Sequence, residues 1–219
     1  MSESATAREV FGIVSKLGFA ESGKEDASLV VRKYDGDMAN WVTKKSGITH
    51  PREADFRRFK VRPYQELVAY GNLITTTGWQ RILGAAIASG LTIYDVGHAR
   101  IGVGTSAATA VVADTDLYAT TASASASANR LWQGVDAVGT MSTAGGTVRL
   151  SMVATFASSQ ANFVWAEWGI DQGTGGNTAT ATASTMGAAQ QALLNHKGQA
   201  LGTKATPAVW TATAQLDFT

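Results

Sequence analysis

Two carboxylates in this chain could do chemistry: Glu167, set between Trp165 and Trp168, and Asp171. On a strand they share one face four residues apart, about 13 Å at roughly 3.3 Å per residue. That is too far for the paired acids of a glycoside hydrolase. Tryptophans beside a carboxylate also suit a carbohydrate-binding face. The other reading makes the tryptophans core and gives Glu167 a buried hydrogen bond or ion pair. No Ser-His-Asp order with a nucleophile-elbow context is present. The three histidines, His50, His98 and His196, lie far apart without HExxH-type spacing and read as ordinary surface or loop residues. With no cysteine, thiolate metal sites, disulfides and cysteine nucleophiles are excluded. No cofactor, metal site or catalytic set is expected.

Gly102, Gly104 and Ala107 match the dinucleotide fingerprint G-x-G-x-x-A. The residues that follow, TSAATA and then VVADTD, lack a helix opening and a βαβ crossover, so the glycines read as a strand end and turn. The glycine- and threonine-rich segment 173–187 lacks the Lys-Ser/Thr end of a phosphate-binding loop and reads as a long surface loop.

The remaining candidate is a basic run: Lys44, Lys45, Arg52, Arg57, Arg58, Lys60 and Arg62, against Glu53 and Asp55. It reads either as a contact arm for an acidic partner or as a solvated edge strand protected by charge. Phe56, Phe59 and Tyr64 are interleaved, but no nucleic-acid module signature accompanies them, so a protein partner ranks above nucleic acid. Reversing Arg57 and Arg58 to Glu is expected to weaken docking in a salt-sensitive way while leaving the sandwich folded.

The elements that must position these groups follow from periodicity. Val148, Leu150, Met152, Ala154 and Phe156 alternate with polar residues over 147–156, the pattern of a half-buried strand. The next run, 163–171, is apolar on both faces, as a central strand is. Together they read as an antiparallel pair in the middle of a sandwich, with Phe163, Trp165 and Glu167 on one face. Further strands are expected at 29–31, 98–104, 129–138, 192–197 and 209–219. The segment 105–128, rich in Ala, Ser and Thr, reads as a loop over the sandwich. Trp79, Ile82, Leu83, Ala86 and Ile87 predict a helix over about 76–89, capped by Thr77 with Gln80 and packed by one face. A short helix with the stripe Val10, Ile13, Val14 and Leu17 is expected at the N-terminus. Asp35-Gly36 marks a turn between strands, or else 37–45 is helical.

Of the 219 residues, 45% are apolar and only 16% charged, with a net charge of +1. Residues 1–66 hold 12 of the 18 Lys and Arg and 10 of the 17 Asp and Glu. The shift predicts a charged N-terminal arm, 1–70, and a nearly neutral β-sandwich domain, 71–219. The fold class expected is mainly β, a jelly-roll-like antiparallel sandwich with one packed helix. No apolar run of about 18 residues and no basic-then-apolar leader is present, so a soluble chain without a membrane partner is expected.

The segments GNLITTTGWQRIL, ARIGVGTS, DTDL, NRLWQGVDA, TFASSQANFVWAEWGID and LLNHKGQALGTK, with a closing WTAT strand, occur in that order over about 71–219. In this order they resemble a recurrent family of tailed-bacteriophage virion structural proteins, capsid-associated or tail-associated. The resemblance implies a β-rich, non-enzymatic part of the particle, located in the virion after assembly in the host cytoplasm. A charged arm before a neutral sandwich suits a capsid decoration or cement protein. Its partners would be the major capsid protein and its own copies, as a dimer or trimer. The alternative is a tail-fibre or baseplate subunit whose sandwich binds a receptor or glycan through Trp165 or the 173–187 loop.

Overall fold

Among the described residues, alternating apolar residues build ten antiparallel strands into two facing five-stranded sheets, and three helices accompany them. The structure, a computed structural model, describes residues 27–71, 73–87, 94–119, 129–144, 147–172 and 193–218. The helix expected near residues 6–17 and the loop expected at 173–187 lie outside them.

The first sheet has the order β2 (Gln65–Tyr70), β1 (Ala27–Tyr34), β10 (Val209–Phe218), β7 (Thr147–Phe156), β6 (Ala137–Ala144). The second has the order β3 (Leu73–Ile74), β9 (Asn195–Thr203), β8 (Val164–Gln172), β4 (Ala99–Gly104), β5 (Arg130–Gly134). Side chains alternate across each strand, so Leu29, Val31, Met152, Ala154, Ala212, Ala214 and Leu216 meet Ile101, Val103, Trp168 and Ile170 in one core. Small residues on β10 leave room for the rings: Trp165 lies edge-on to Phe156 and Trp210, at centroid distances of 4.7 and 4.8 Å. The antiparallel β-sandwich is thus the architecture the alternation predicts.

β7 and β8 are consecutive but do not pair. β7 lies in the first sheet between β10 and β6, and β8 is the centre of the second. The expected hairpin over 147–171 is therefore an inter-sheet crossing. Residues 157–163 make it, with Ala161 in the left-handed region at φ 50°. Lys204 holds the crossing: its buried Nζ donates to Ala157 O and Asn162 Oδ1, both at 2.8 Å. Burial pulls its pKa down to about 7. A second buried lysine ties the sheets together: Lys33 of β1 donates to Leu201 O of β9 at 2.9 Å and lies 4.1 Å from the Trp210 ring centroid.

The expected division near residue 70 falls inside the first sheet. β1 pairs with β10 over its whole length, Ala27 opposite Leu216 to Tyr34 opposite Val209, and β2 pairs with β1. Between β1 and β2 the chain makes α1 (Gly36–Ser46) and α2 (Glu53–Arg58), not an edge strand. Asp35 does not start a hairpin turn; its carboxylate accepts from Met38 N at 2.8 Å and caps α1, which ends at Gly47, φ 73°. Ala39, Val42 and Phe56 of the helices pack on Tyr34 and Val209, with Phe56 stacked on Tyr34 at 3.9 Å. Burial, with the Glu53 charge nearby, pushes the Tyr34 hydroxyl up to about 12. The charged residues of this region therefore sit on helices that cover the outer face of the first sheet.

α3 (Thr76–Ile87) begins one residue before the expected cap. Thr75 is the capping residue, its hydroxyl oxygen accepting from Gly78 N at 3.0 Å. The same hydroxyl donates to Leu193 O, which pins the helix start to the segment entering β9.

Because the helices α1 and α2 are built on β1, their loss should unsettle the whole sandwich. Phe56→Ala is expected to cost about 3–5 kcal/mol, read as a lower urea midpoint in a single transition. An unchanged midpoint would show that the helices lie outside the cooperative unit.

Candidate functional site

Two places collect polar groups: the outer face of the second sheet and the exposed side of α1 and α2. The first is centred on Glu167. In a regular strand Trp165 and Glu167 would share a face, but the β8–β9 register breaks between them. Trp165 and Trp168 thus both enter the core, and Glu167 turns outward between β4 and β9.

Outward does not mean exposed. Residues 105–119 cross this face as a strap, and Glu167 is completely buried beneath it. Its carboxylate accepts from the backbone N–H groups of Tyr118 and Ala119, each at 2.8 Å, and faces His196 Nε2 at 2.9 Å. His196 Nδ1 faces Asp114 Oδ2 at 2.7 Å. Asp114 also accepts from Val111 N at 2.8 Å and from the Tyr118 hydroxyl at 2.7 Å. A carboxylate oxygen on both ring nitrogens requires both to donate, so the imidazole is the charged form. Burial opposes that charge, but hydrogen bonds and attraction from Glu167 and Asp114 outweigh it and raise the pKa of His196. Burial likewise opposes ionisation of Asp114, yet its bonds from Val111, His196 and Tyr118 hold it below the usual carboxylate range.

The glycines of the apparent dinucleotide fingerprint belong to this site. A Cβ on Gly104 would run into Glu167 Oε1 and Ala119, and one on Gly102 into the Trp132 ring. Gly198 is equally confined by the Ala108 carbonyl of the strap. The motif marks close approach between sheet and strap, not a phosphate. On the same face Asp171 pairs with buried Arg100, Asp116 with Arg130 at 2.5 Å, and Leu117 packs on Trp132 and Leu193.

Chemically this is a clamp. Glu167 and His196 have no solvent-accessible side-chain surface, and both carboxylates already hold partners from the strap. His196 is a strand residue in the interior, not a surface one; its isolation in sequence conceals two partners, 82 and 29 positions away. Trp165 is buried and presents no face to a glycan. Among the described residues no group of three or more His, Asp or Glu side chains is arranged to hold a metal ion. No described helix is long and apolar enough to cross a membrane.

The basic residues divide into two sets. Arg52 pairs with Asp136 at 3.3 Å, and its backbone N–H is capped by Asp55, so it fastens α2 to the turn before β6. Arg57 pairs with Glu53, which also accepts from Arg32 at 2.9 Å and from Thr213 at 3.3 Å. Reversing Arg57 would set a carboxylate beside buried Glu53, so it cannot serve as a neutral probe of docking. Lys44, Lys45, Arg58, Lys60 and Arg62 are exposed and make no ion pair among the described residues. Beside them stand exposed Met38 and Trp41, which the sequence reading did not single out. A cleft of about 60 Å³ lined by His50, Asn40, Thr43 and Ser158 falls well below the roughly 300 Å³ at which small-molecule pockets begin.

Comparison with protein-family models, curated proteins and solved structures gives no match to this chain.

His196→Gln leaves Asp114 and Glu167 buried without their shared cation and is expected to cost about 3–5 kcal/mol. Because the folded pKa of His196 is raised, its contribution is complete below its unfolded value of about 6.5 and fades as pH rises through the folded value. Asp114, with a lowered pKa, contributes above about 3.8 and loses that contribution as pH falls. The stability gap between the parent chain and His196→Gln should therefore be widest on the acid side of neutrality, between those limits, and narrow above it. A gap that grew with alkalinity in urea titrations would contradict the clamp.

Proposed function

We propose that this chain is a non-enzymatic structural component of a tailed-phage virion, a capsid decoration protein that binds the outer shell and stabilises it. The order of motifs over 71–219 supports the phage reading. The observation that carries the docking reading is a separation of charge. All the described acidic groups but Asp37 hold an ion pair, a cap or a hydrogen bond, while five cations on one side of α1, α2 and the chain leading to β2 make no ion pair among the described residues. Polar interactions on the outer face of the second sheet serve rigidity, not turnover, as suits a particle component. Self-association as a dimer or trimer belongs to this reading, and neither nucleic acid nor membrane enters it.

The tail-fibre or baseplate alternative needs a receptor surface. Burial of Trp165 takes away the residue first suited to that role, so the decoration reading is preferred.

Quantitative mass spectrometry of purified virions decides between them. A copy number comparable to that of the major capsid protein is expected, together with binding of the purified chain to empty mature capsids. A handful of copies per particle, or immunolabelling confined to tails, would overturn the decoration reading.

A further inference from the structure

The outward side of α1 carries large apolar side chains where solvent would favour polar ones. Met38 and Trp41 are 47% and 42% exposed, and Ile48, just past the helix end, is 38% exposed. Met38, Trp41 and Lys45 stand at i, i+3 and i+7, one above another on the helix surface. Trp41 is not loose: its ring meets the edge of Phe59 at 5.9 Å, and the Arg58 guanidinium lies 5.6 Å from the Phe59 ring centroid. A braced, half-exposed tryptophan with an aliphatic neighbour and cations around it has the composition of an interface centre.

The charges around this patch indicate what it takes. Lys44, Lys45, Arg58, Lys60 and Arg62 have no ion-pair partner among the described residues. The nearby acids are Asp35, whose carboxylate caps α1, and Asp37. The described residues of a second copy have little to offer such a surface. Among the described acids, Glu53, Asp55, Glu66, Asp95, Asp116, Asp136 and Asp217 are engaged in pairs or caps. Asp114, Glu167 and Asp171 are buried in the second sheet. Nucleic acid would use the cations and Trp41, but Met38 and Ile48 are aliphatic and supply no stacking platform for bases. They do suit apolar side chains of a polypeptide.

We propose that the Met38–Trp41–Lys45 face of α1, with Phe59 and Arg58 beside Trp41, docks an acidic polypeptide segment that carries apolar anchor side chains. Trp41 and Met38 receive the anchors, and the lysines and arginines complement the acid around them. This rests on the reading of the chain as a docking component and names the chemistry of its partner. A shell protein would present such a segment on its outer surface.

The test uses the full chain and fluorescence anisotropy with three labelled probes: a peptide of glutamates with leucine at every fourth position, an all-glutamate peptide of equal charge, and oligothymidine. The leucine-bearing peptide is expected to bind tightest, and to weaken as salt is raised. Trp41→Ala should weaken it about tenfold, and Arg58→Glu should weaken it chiefly at low salt, both with an unchanged thermal midpoint. Should Trp41→Ala lower the midpoint, Met38→Ser replaces it as the anchor variant. Failure of the leucine-bearing peptide to bind, equal binding of the all-glutamate peptide, indifference to the anchor variants, or tighter binding of oligothymidine would each overturn the proposal. None of these results alters the copy number in virions, so failure here and failure of the decoration reading are distinguishable.

Discussion

A carboxylate buried at the centre of the second sheet is the constraint on which much of this structure depends. An ionised side chain removed from water is costly unless hydrogen bonds and opposite charge replace its hydration. Glu167 obtains them from three directions: two backbone amides of the strap and the imidazolium of His196. The strap must therefore pass directly over β8, Gly104 must lack a side chain so that the carboxylate fits, and His196 must be oriented by a second acid, Asp114. Each requirement falls on a different stretch of sequence, so a single buried group ties residues 104, 114–119, 167 and 196 into one arrangement.

The first sheet solves the matching problem differently. Its outer face carries Thr155, Thr211 and Thr213, all buried, and is covered by α1 and α2 instead of by a strap. Glu53 of α2 is the counterpart of Glu167, gathering Arg32, Arg57 and Thr213 around a side chain that is 5% exposed. Asp136, which burial pushes above the usual carboxylate range, meets Arg52, the residue that precedes Glu53 at the start of the same helix. Both sheets thus have two covered faces, with polar interactions placed where cover and sheet meet. In this low-dielectric setting, paired charges specify where each cover sits. Neutral core residues such as Ala212 and Ile170 supply burial, whose driving force is non-directional, without the directionality of a hydrogen bond.

The surface left over carries the functional argument. Once the acids are engaged in fastening the covers, the unmatched cations define an electrostatic face on the helices that cover the first sheet. It follows from how the fold is closed, and no dedicated binding loop is needed for it. The strap side presents the opposite character: Ala107, Ala108, Thr109, Val111 and Val112 are exposed and uncharged. The molecule therefore has two chemically distinct outer surfaces, one basic and aromatic, one neutral and small.

The sequence by itself determined the sandwich and strands β1, β4, β7, β8 and β10, whereas the run expected as one strand at 129–138 divides between β5 and β6 in different sheets. Period-two alternation in 147–156 and 209–219 and the doubly apolar run in 163–171 are local consequences of half and full burial, and each carries a strand, with the alternation of β8 broken between Trp165 and Glu167. It also determined the helix α3 from its amphipathic spacing, although the cap expected at Thr77 is supplied by Thr75. Tertiary structure alone decided that β7 and β8 separate into different sheets, and that β1 and β2 join β10 so that no boundary falls at residue 70. It alone assigned Arg52 and Arg57 to structural pairs and left Lys44, Lys45, Arg58, Lys60 and Arg62 without an ion pair among the described residues. The physical reason is the same in each case. Pairing partners of strands and of charges lie many tens of residues away, and periodicity reports which face is buried without saying what buries it.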